Sequence, residues 1–298
     1  MAAKAKNISI LPSAVFDQHV TIVPVVSAVW SSLQGDPDSE NNRRQDPVTQ
    51  QGILTPQGFK YKIRYFAHTM GHPLFIWPDG PSLSERIQES MDKIRVKKTN
   101  KALKPEEIQA IIRELCQTYY DVRTFGAVLT DPVNAPITGP MQVGYTLSTD
   151  PIFPESLANT RRVVTRRDDN EIQNRTMGRS CVVPFEVILP LISIDPFRAA
   201  QTGFTYGDYE LLLQALTNMW NITRSTGRSG VCAEELIVFR HTSKYGNMQD
   251  MKLHRRVTVT PKDQDQSFAE IRSFDDCSVQ VDEDGLAERG IHVDRIAC

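Results

Sequence analysis

The chain is predicted to be an α+β protein built in the βαββαβ order, and three observations predict it. Two segments with helical apolar spacing, Phe59 to Met70 and Leu212 to Trp220, each lie between stretches rich in β-branched residues. A cleanly alternating stretch, MQVGYTLS, occupies 141–148. A long excursion over 149–180 then separates it from the strand CVVPFEVILPLIS at 181–193, with which it can pair.

In chain order, residues 1–19 read as an N-terminal extension and 20–298 as one domain. VTIVPVVSAVW over 20–30 is a strand, with Pro24 marking an edge or bulge near its start. The loop that follows, SSLQGDPDSENNRRQDPVTQQG, is dense in turn-forming Gly, Pro, Asp and Asn. Thr55 and Pro56 suit the cap and first position of a helix whose stripe is Phe59, Ile63, Phe66 and Met70, with Lys60 and Arg64 one turn apart beside it. Residues 78–104 form an inserted, solvated helical arm. It opens with the capping box Ser82 and Glu85 and turns basic at Lys93, Arg95, Lys97, Lys98, Lys101 and Lys104. A helix from Pro105 buries Ile108, Ile111, Ile112, Leu115 and Tyr119, and DVRTFGAVL after it reads as a strand. Within MQVGYTLS, Met141, Val143, Tyr145 and Leu147 share one face. Thr205 and Asp208 cap a helix burying Leu212, Ala215, Leu216, Met219 and Trp220, and ELIVFRH at 235–241 is the closing strand. Over 263–298, CSVQV and GIHVDRI form an acidic strand pair. Without the insertions this is the order of a ferredoxin-like or RRM-like domain.

Composition excludes several classes. Apolar residues are 40% and charged residues 23%, as in globular domains with a core. No apolar run is long enough to span a bilayer, and the first residues lack a signal-peptide pattern, so the chain reads as cytoplasmic with no membrane contact. Five scattered cysteines suggest neither a disulfide framework nor a zinc site. The net charge of −2 hides a segregation: 263–298 hold ten acids against three bases, leaving 31 bases and 26 acids before them. A positive main body is what a polyanion needs.

The excursion at 149–180 is the densest chemistry: Arg161, Arg162, Arg166, Arg167, Arg175 and Arg179 against Asp168, Asp169 and Glu171. Guanidinium is a planar fork that matches phosphate and stacks on bases. Arg224 and Arg228, in TRSTGRSG, are further phosphate candidates, while Ser225 and Ser229 complete no nucleophile or phosphate-loop pattern. His68 and His72 are one turn apart but lack the glutamate of a metalloprotease helix. Asp36 and Asp38 are the one well-placed carboxylate pair, in a Gly-Asp-Pro setting that already explains them as turn residues.

Eight segments in order, QGDPD, KYKIR, DVRTFGAVL, ITGPMQ, STDPI, NRTMGR, QTGF and VDEDGL, run from about Val25 to the C-terminus. Together they resemble the Cas-seven family (RAMP superfamily) backbone subunit of the type I-C CRISPR Cascade complex. The resemblance implies an RRM-like palm, ferredoxin-like in its βαββαβ order, with a long thumb hairpin at 149–180. Several copies stack as a helical filament along a CRISPR RNA, beside other Cascade subunits, and present it to target DNA in antiviral defence. It implies that Arg161, Arg162, Arg166, Arg167, Arg175 and Arg179 hold guide phosphates and that Met177 wedges a base. Lys60, Arg64 and Gln142 would meet the guide from the palm, and Lys62, Arg224 and Arg228 are counted with them as RNA-binding residues. Lys93, Lys97, Lys98 and Lys101 of the arm would meet DNA. Two departures stand out: Ser32, Leu33 and Gln34 replace the family's asparagine-rich stretch, and NTRRVVTRR is more basic than the family's thumb strand.

The sequence therefore predicts a non-catalytic RNA-binding subunit with no catalytic residue, metal or cofactor. Its rival is a guide-dependent target-RNA endonuclease of the type III backbone kind using Asp36. A free-standing RRM-like regulator is weakened by the absence of an aromatic RNP strand.

Overall fold

A computed structural model of the chain describes residues 13–96, 102–160 and 177–298. In chain order the strands and helices are β1 (Val20–Ser31), β2 (Gly35–Asp36), β3 (Asn42–Arg43), β4 (Gln51–Leu54), α1 (Pro56–Thr69), α2 (Leu83–Lys93), α3 (Pro105–Thr118) and α4 (Tyr120–Phe125). Next come β5 (Gly126–Val128), β6 (Pro136–Thr138), β7 (Met141–Val143), β8 (Thr146–Pro151), β9 (Glu155–Thr160), β10 (Met177–Ile188) and β11 (Ile192–Ile194). The rest are α5 (Pro196–Thr202), α6 (Tyr206–Ile222), β12 (Val231–His241), α7 (Asp250–His254), β13 (Val257–Pro261), β14 (Cys277–Val281) and β15 (Ile291–Ala297).

The main sheet is antiparallel, in the order β15-β12-β1-β10-β8-β4, with β11 bridging β1 and β7. Because β1 is central and both its faces are covered, it is buried over nearly its whole length. On one face Ile22, Val26 and Ala28 pack against Phe59 and Ile63 of α1 and Leu212, Leu216 and Met219 of α6. On the other, Val23 and Val25 pack with Val257, Val259, Ile271 and Leu286. Pro24 is thus not on an edge. Its missing N–H falls between the ladder to β11, which ends at Ile22, and the ladder to β10, which begins at Val26. The expected bulge is present beside it, at Val25/Val26.

Both principal caps form as their chemistry dictates. Thr55 accepts the Gly58 N–H at the start of α1, and Thr205 with Asp208 makes a reciprocal box at the start of α6. Met70, expected in the α1 stripe, is instead its exposed C-terminal cap residue.

Four other expectations are corrected. DVRTFGAVL is mostly helix: α4 follows α3 after one residue, held by Asp121, which accepts the N–H groups of Phe75 and Ile76. What remains extended there, β5, pairs with β6 outside the main sheet. MQVGYTLS keeps its alternation only to Val143. After Gly144 the phase slips, so Thr146 and Ser148 turn inward while Tyr145 and Leu147 are exposed. The basic arm is not simply solvated, since Ile87 and Met91 of α2 pack on Ile111 and Leu115 of α3 in a core of their own. Finally, CSVQV and GIHVDRI do not pair with each other: β14 pairs with β13, and β15 extends the main sheet along the free edge of β12.

Candidate nucleic-acid interface

At one end of the main sheet, the loop leaving β1, the start of α1, the N-terminal part of β10 and the loop before β12 enclose a cleft of about 620 Å³. Local chemistry holds these pieces together. Gln34 clips the loop onto α1, its Oε1 accepting the Thr55 N–H at 2.8 Å and its amide donating to Thr55 Oγ1 at 2.9 Å. The Ser32 N–H donates to the Gly227 carbonyl at 2.8 Å, and Gly230 N–H donates to Ser31 Oγ at 2.9 Å. Gly35 is required at the turn, since a Cβ there would lie 2.7 Å from the Asn41 carbonyl oxygen.

The lining carries Lys62, Arg228, Arg179 and Arg44 and, among the described residues, no carboxylate. Lys62 is buried, its ammonium 5.8 Å from the centre of the Trp220 ring, and it makes no ion pair among the described residues. Burial, and secondarily the Arg228 charge, push its amine down to about 8. Ser32 Oγ and Arg44 Nε are buried without a hydrogen-bond partner among the described residues. Among the described residues Arg179 has one ion-pair partner, the exposed Glu40 at 3.8 Å, a surface pairing that contributes little. The positive end of the α1 dipole opens beside these groups at Gly58. Such a cleft is complementary to an anion supplied from outside.

The expected palm residues divide into two places. Lys62, Arg179 and Arg228 meet in the cleft, with Arg224 on the same loop, exposed and bonded to Asn221 Oδ1 at 2.9 Å. Lys60, Arg64 and Gln142 meet on another side of α1, around Phe125. The Lys60 ammonium is 5.5 Å and the Arg64 guanidinium 5.0 Å from its ring centre, and Gln142 donates to the Gly139 carbonyl at 2.8 Å. Lys62 faces away from Lys60 and Arg64 because two residues along a helix is about 200°, more than half a turn. Arg64 is further committed to the buried Asp121, at 3.0 Å. Burial and the Arg64 charge lower the Lys60 amine from its ordinary value.

Lys93 pairs with Glu114 at 3.3 Å on the helical lobe. Lys97, Lys98, Lys101, Arg161, Arg162, Arg166, Arg167 and Arg175 lie outside the described residues, as does the side chain of Met177, whose backbone opens β10 opposite Thr160. Asp36 caps the turn Pro37–Ser39 by accepting the Asp38 N–H at 3.1 Å and pairs with Arg44 at 3.2 Å, a turn role. His68 stacks on Trp77 and His72 leans on Tyr120, so the two do not converge on a metal.

A cluster that spacing did not reveal is His19, His241 and Asp250, whose ligand atoms lie within 4.8 Å of one another. Its hydrogen bonds argue against a cation. The Asn247 N–H points at His241 Nδ1 at 2.8 Å, so the ring proton of the neutral imidazole sits on Nε2, facing Thr21 Oγ1 at 3.3 Å. Thr21 donates in turn to Asp250 at 2.6 Å, as His19 Nε2 does at 2.9 Å. Burial, with His19 nearby, pushes His241 down to about 4, which keeps it neutral. The network ties β1 to β12 and α7.

Ser32, Arg44 and Tyr61 also line the cleft and were not singled out as site residues from sequence. The signal for Tyr61 was present: Tyr61, Tyr65 and His68 recur at helical spacing on the face of α1 away from its core stripe.

The molecule is a mixed helix and strand protein with a large antiparallel sheet and, at the sheet's end, a cleft whose lining is cationic. The chain is a member of the CRISPR-associated protein Cas7 family, whose model matches residues 18–282. Two solved chains resemble it. One belongs to a "CRISPR RNA-guided surveillance complex, pre-nicking", at 13% identity over 74% of this chain and 78% of that one, TM-score 0.47. Another, of a "CRISPR RNA-guided surveillance complex", is 12% identical over 74% of this chain and 68% of that one, TM-score 0.42. No curated protein sequence matches the chain. No helix among the described residues is long and apolar enough to cross a membrane.

Proposed function

We propose that this chain is a non-catalytic backbone subunit of a type I-C Cascade complex. It holds CRISPR RNA along the sugar-phosphate chain, polymerises with further copies of itself along the spacer, and presents that spacer for pairing with target DNA. The observation that carries the reading is the cleft, where Lys62, Arg228, Arg179 and Arg44 converge with no lining carboxylate among the described residues. Membership of the Cas7 family makes guide RNA the natural source of the missing negative charge. Contacts of this kind position a strand without reading it, as a subunit that serves any spacer requires.

An RRM-like palm is supported by the strands β12, β1, β10 and β8, which stand side by side as fourth, first, third and second of the βαββαβ order, with α1 and α6 on one face. The opposite face, where RRM aromatics stack bases, is covered by β13 and β14. That favours a guide held at the sheet's end over a free-standing regulator. The antiparallel pairing of β9 with β10 on either side of 161–176 supports a thumb there. In this reading its arginines lie over the guide, and Lys93, Lys97, Lys98 and Lys101 meet DNA.

Stoichiometry tests the assembly. Mixed with single-stranded RNAs of increasing length, the protein is expected to add one copy per fixed increment of nucleotides, as a heterologous open assembly does. A one-to-one complex at every length overturns the filament. The guide-loaded protein is expected to leave complementary RNA intact with magnesium or manganese, because Asp36 is engaged by Arg44 and the turn. Regular cuts abolished by Asp36→Ala, with guide binding intact, establish the nuclease instead.

A further inference from the structure

We propose that Tyr61 is a base-stacking platform at the wall of the cleft, gripping one nucleobase of a single-stranded RNA whose phosphates the neighbouring cations hold; this rests on the reading of the cleft as a guide site. Tyr61 lines the cleft beside Lys62, Arg44 and Arg228. Its side chain is 45% exposed and its hydroxyl makes no hydrogen bond among the described residues, so neither core packing nor a polar contact accounts for its position.

The ring is nonetheless braced. Trp77 lies nearly parallel to it, 9° between planes and 6.1 Å between centres. Tyr65 leans on both, at 6.3 Å and 5.9 Å, and His68 stacks on Trp77 at 4.3 Å. Trp77 is itself anchored against the helix-face core. The stripe Tyr61, Tyr65, His68 on α1 thus docks on one indole and holds an aromatic face out beside a cationic wall. A braced ring loses little rotamer freedom when a base settles on it. Stacking also suits the site's task, because every base offers a π-face and the interaction tolerates any sequence. A tyrosine that merely covers the outer side of α1 predicts no dependence on bases.

Binding of the full-length protein to a labelled single-stranded RNA, and to an abasic ribose-phosphate chain of the same length, separates the two. Tyr61→Ala is expected to weaken RNA binding about tenfold, leave the dependence on salt unchanged and leave abasic binding as in the wild type. Tyr61→Phe is expected to restore RNA binding. Tyr61→Ala binding RNA as tightly as the wild type, or losing both chains equally, overturns the platform while the guide-site reading stands. Wild-type protein that binds neither chain overturns both.

Discussion

Arg43 and Lys62 are both buried cations, and they are built in opposite ways. The Arg43 side chain is fully enclosed and meets a fully enclosed carboxylate: Nε and Nη2 both donate to Glu186 at 3.0 Å. Its remaining nitrogen donates to the Ile53 carbonyl. Lys62 has Arg228 for a neighbour and, among the described residues, no acid. A charge whose partner is in the chain holds the fold together; one without such a partner is, in the proposed function, matched by the guide. The first way to break this contrast is Arg43→Ala, which strands Glu186 without a counter-charge. We expect a loss of about 3–5 kcal/mol, read from the urea midpoint, with Arg43→Met/Glu186→Met recovering most of it. A loss under about 1 kcal/mol would show that the pair is not structural.

Lys62 sharpens the contrast from the other side. Lys62→Met removes a desolvated amine and keeps the apolar stem, so the thermal midpoint is expected to stay level or rise. RNA affinity is expected to fall, with the slope of log affinity against log salt smaller by about 0.7, the value for one single-strand phosphate contact. A lower midpoint with an unchanged slope would make Lys62 a structural residue like Arg43.

What was legible in the sequence follows the range of the forces involved. Thr55, Pro56, Thr205 and Asp208 act over three or four residues, so the starts of α1 and α6 could be read directly. The strands at 20–30 and 235–241 were legible because each carries a buried apolar run, Val23 to Val26 in the first being matched by Leu236 to Phe239 in the second. Misreadings came where a distant partner decides. Tyr145 and Leu147 face out because β7 pairs with β11 and β8 with β10 and β4, which forces a break at Gly144. DVRTFGAVL is helical because Asp121 reaches the backbone at Phe75 and the Arg64 side chain, both far away in sequence. The same holds for the site. Lys62 and Arg228 were nominated as basic residues in suggestive segments. That they meet in one cleft with no lining carboxylate among the described residues, while Arg64 is spoken for by Asp121, depends on contacts that no spacing encodes.

The smallest expected effect tests the least familiar feature of the cleft, a lysine whose amine burial pushes down to about 8. Burial and the Arg228 charge push the Lys62 amine down to about 8, so in the free protein it is mostly charged at about pH 7 and mostly neutral by about pH 9. A bound phosphate favours the charged form, so the complex holds this proton to a higher pH than the free protein does. The sign follows: between those limits binding takes up a proton, and affinity falls as pH rises through 8. One group limits the fall to at most tenfold per pH unit. Lys62→Arg keeps its charge throughout and is expected to bind RNA with nearly flat pH dependence over the same range. Lys60, whose amine burial and Arg64 also lower, is the competing source, and Lys60→Arg separates them. A fall that survives Lys60→Arg and vanishes in Lys62→Arg assigns the proton to the cleft. The reverse pattern moves the phosphate contact to the Phe125 side of α1.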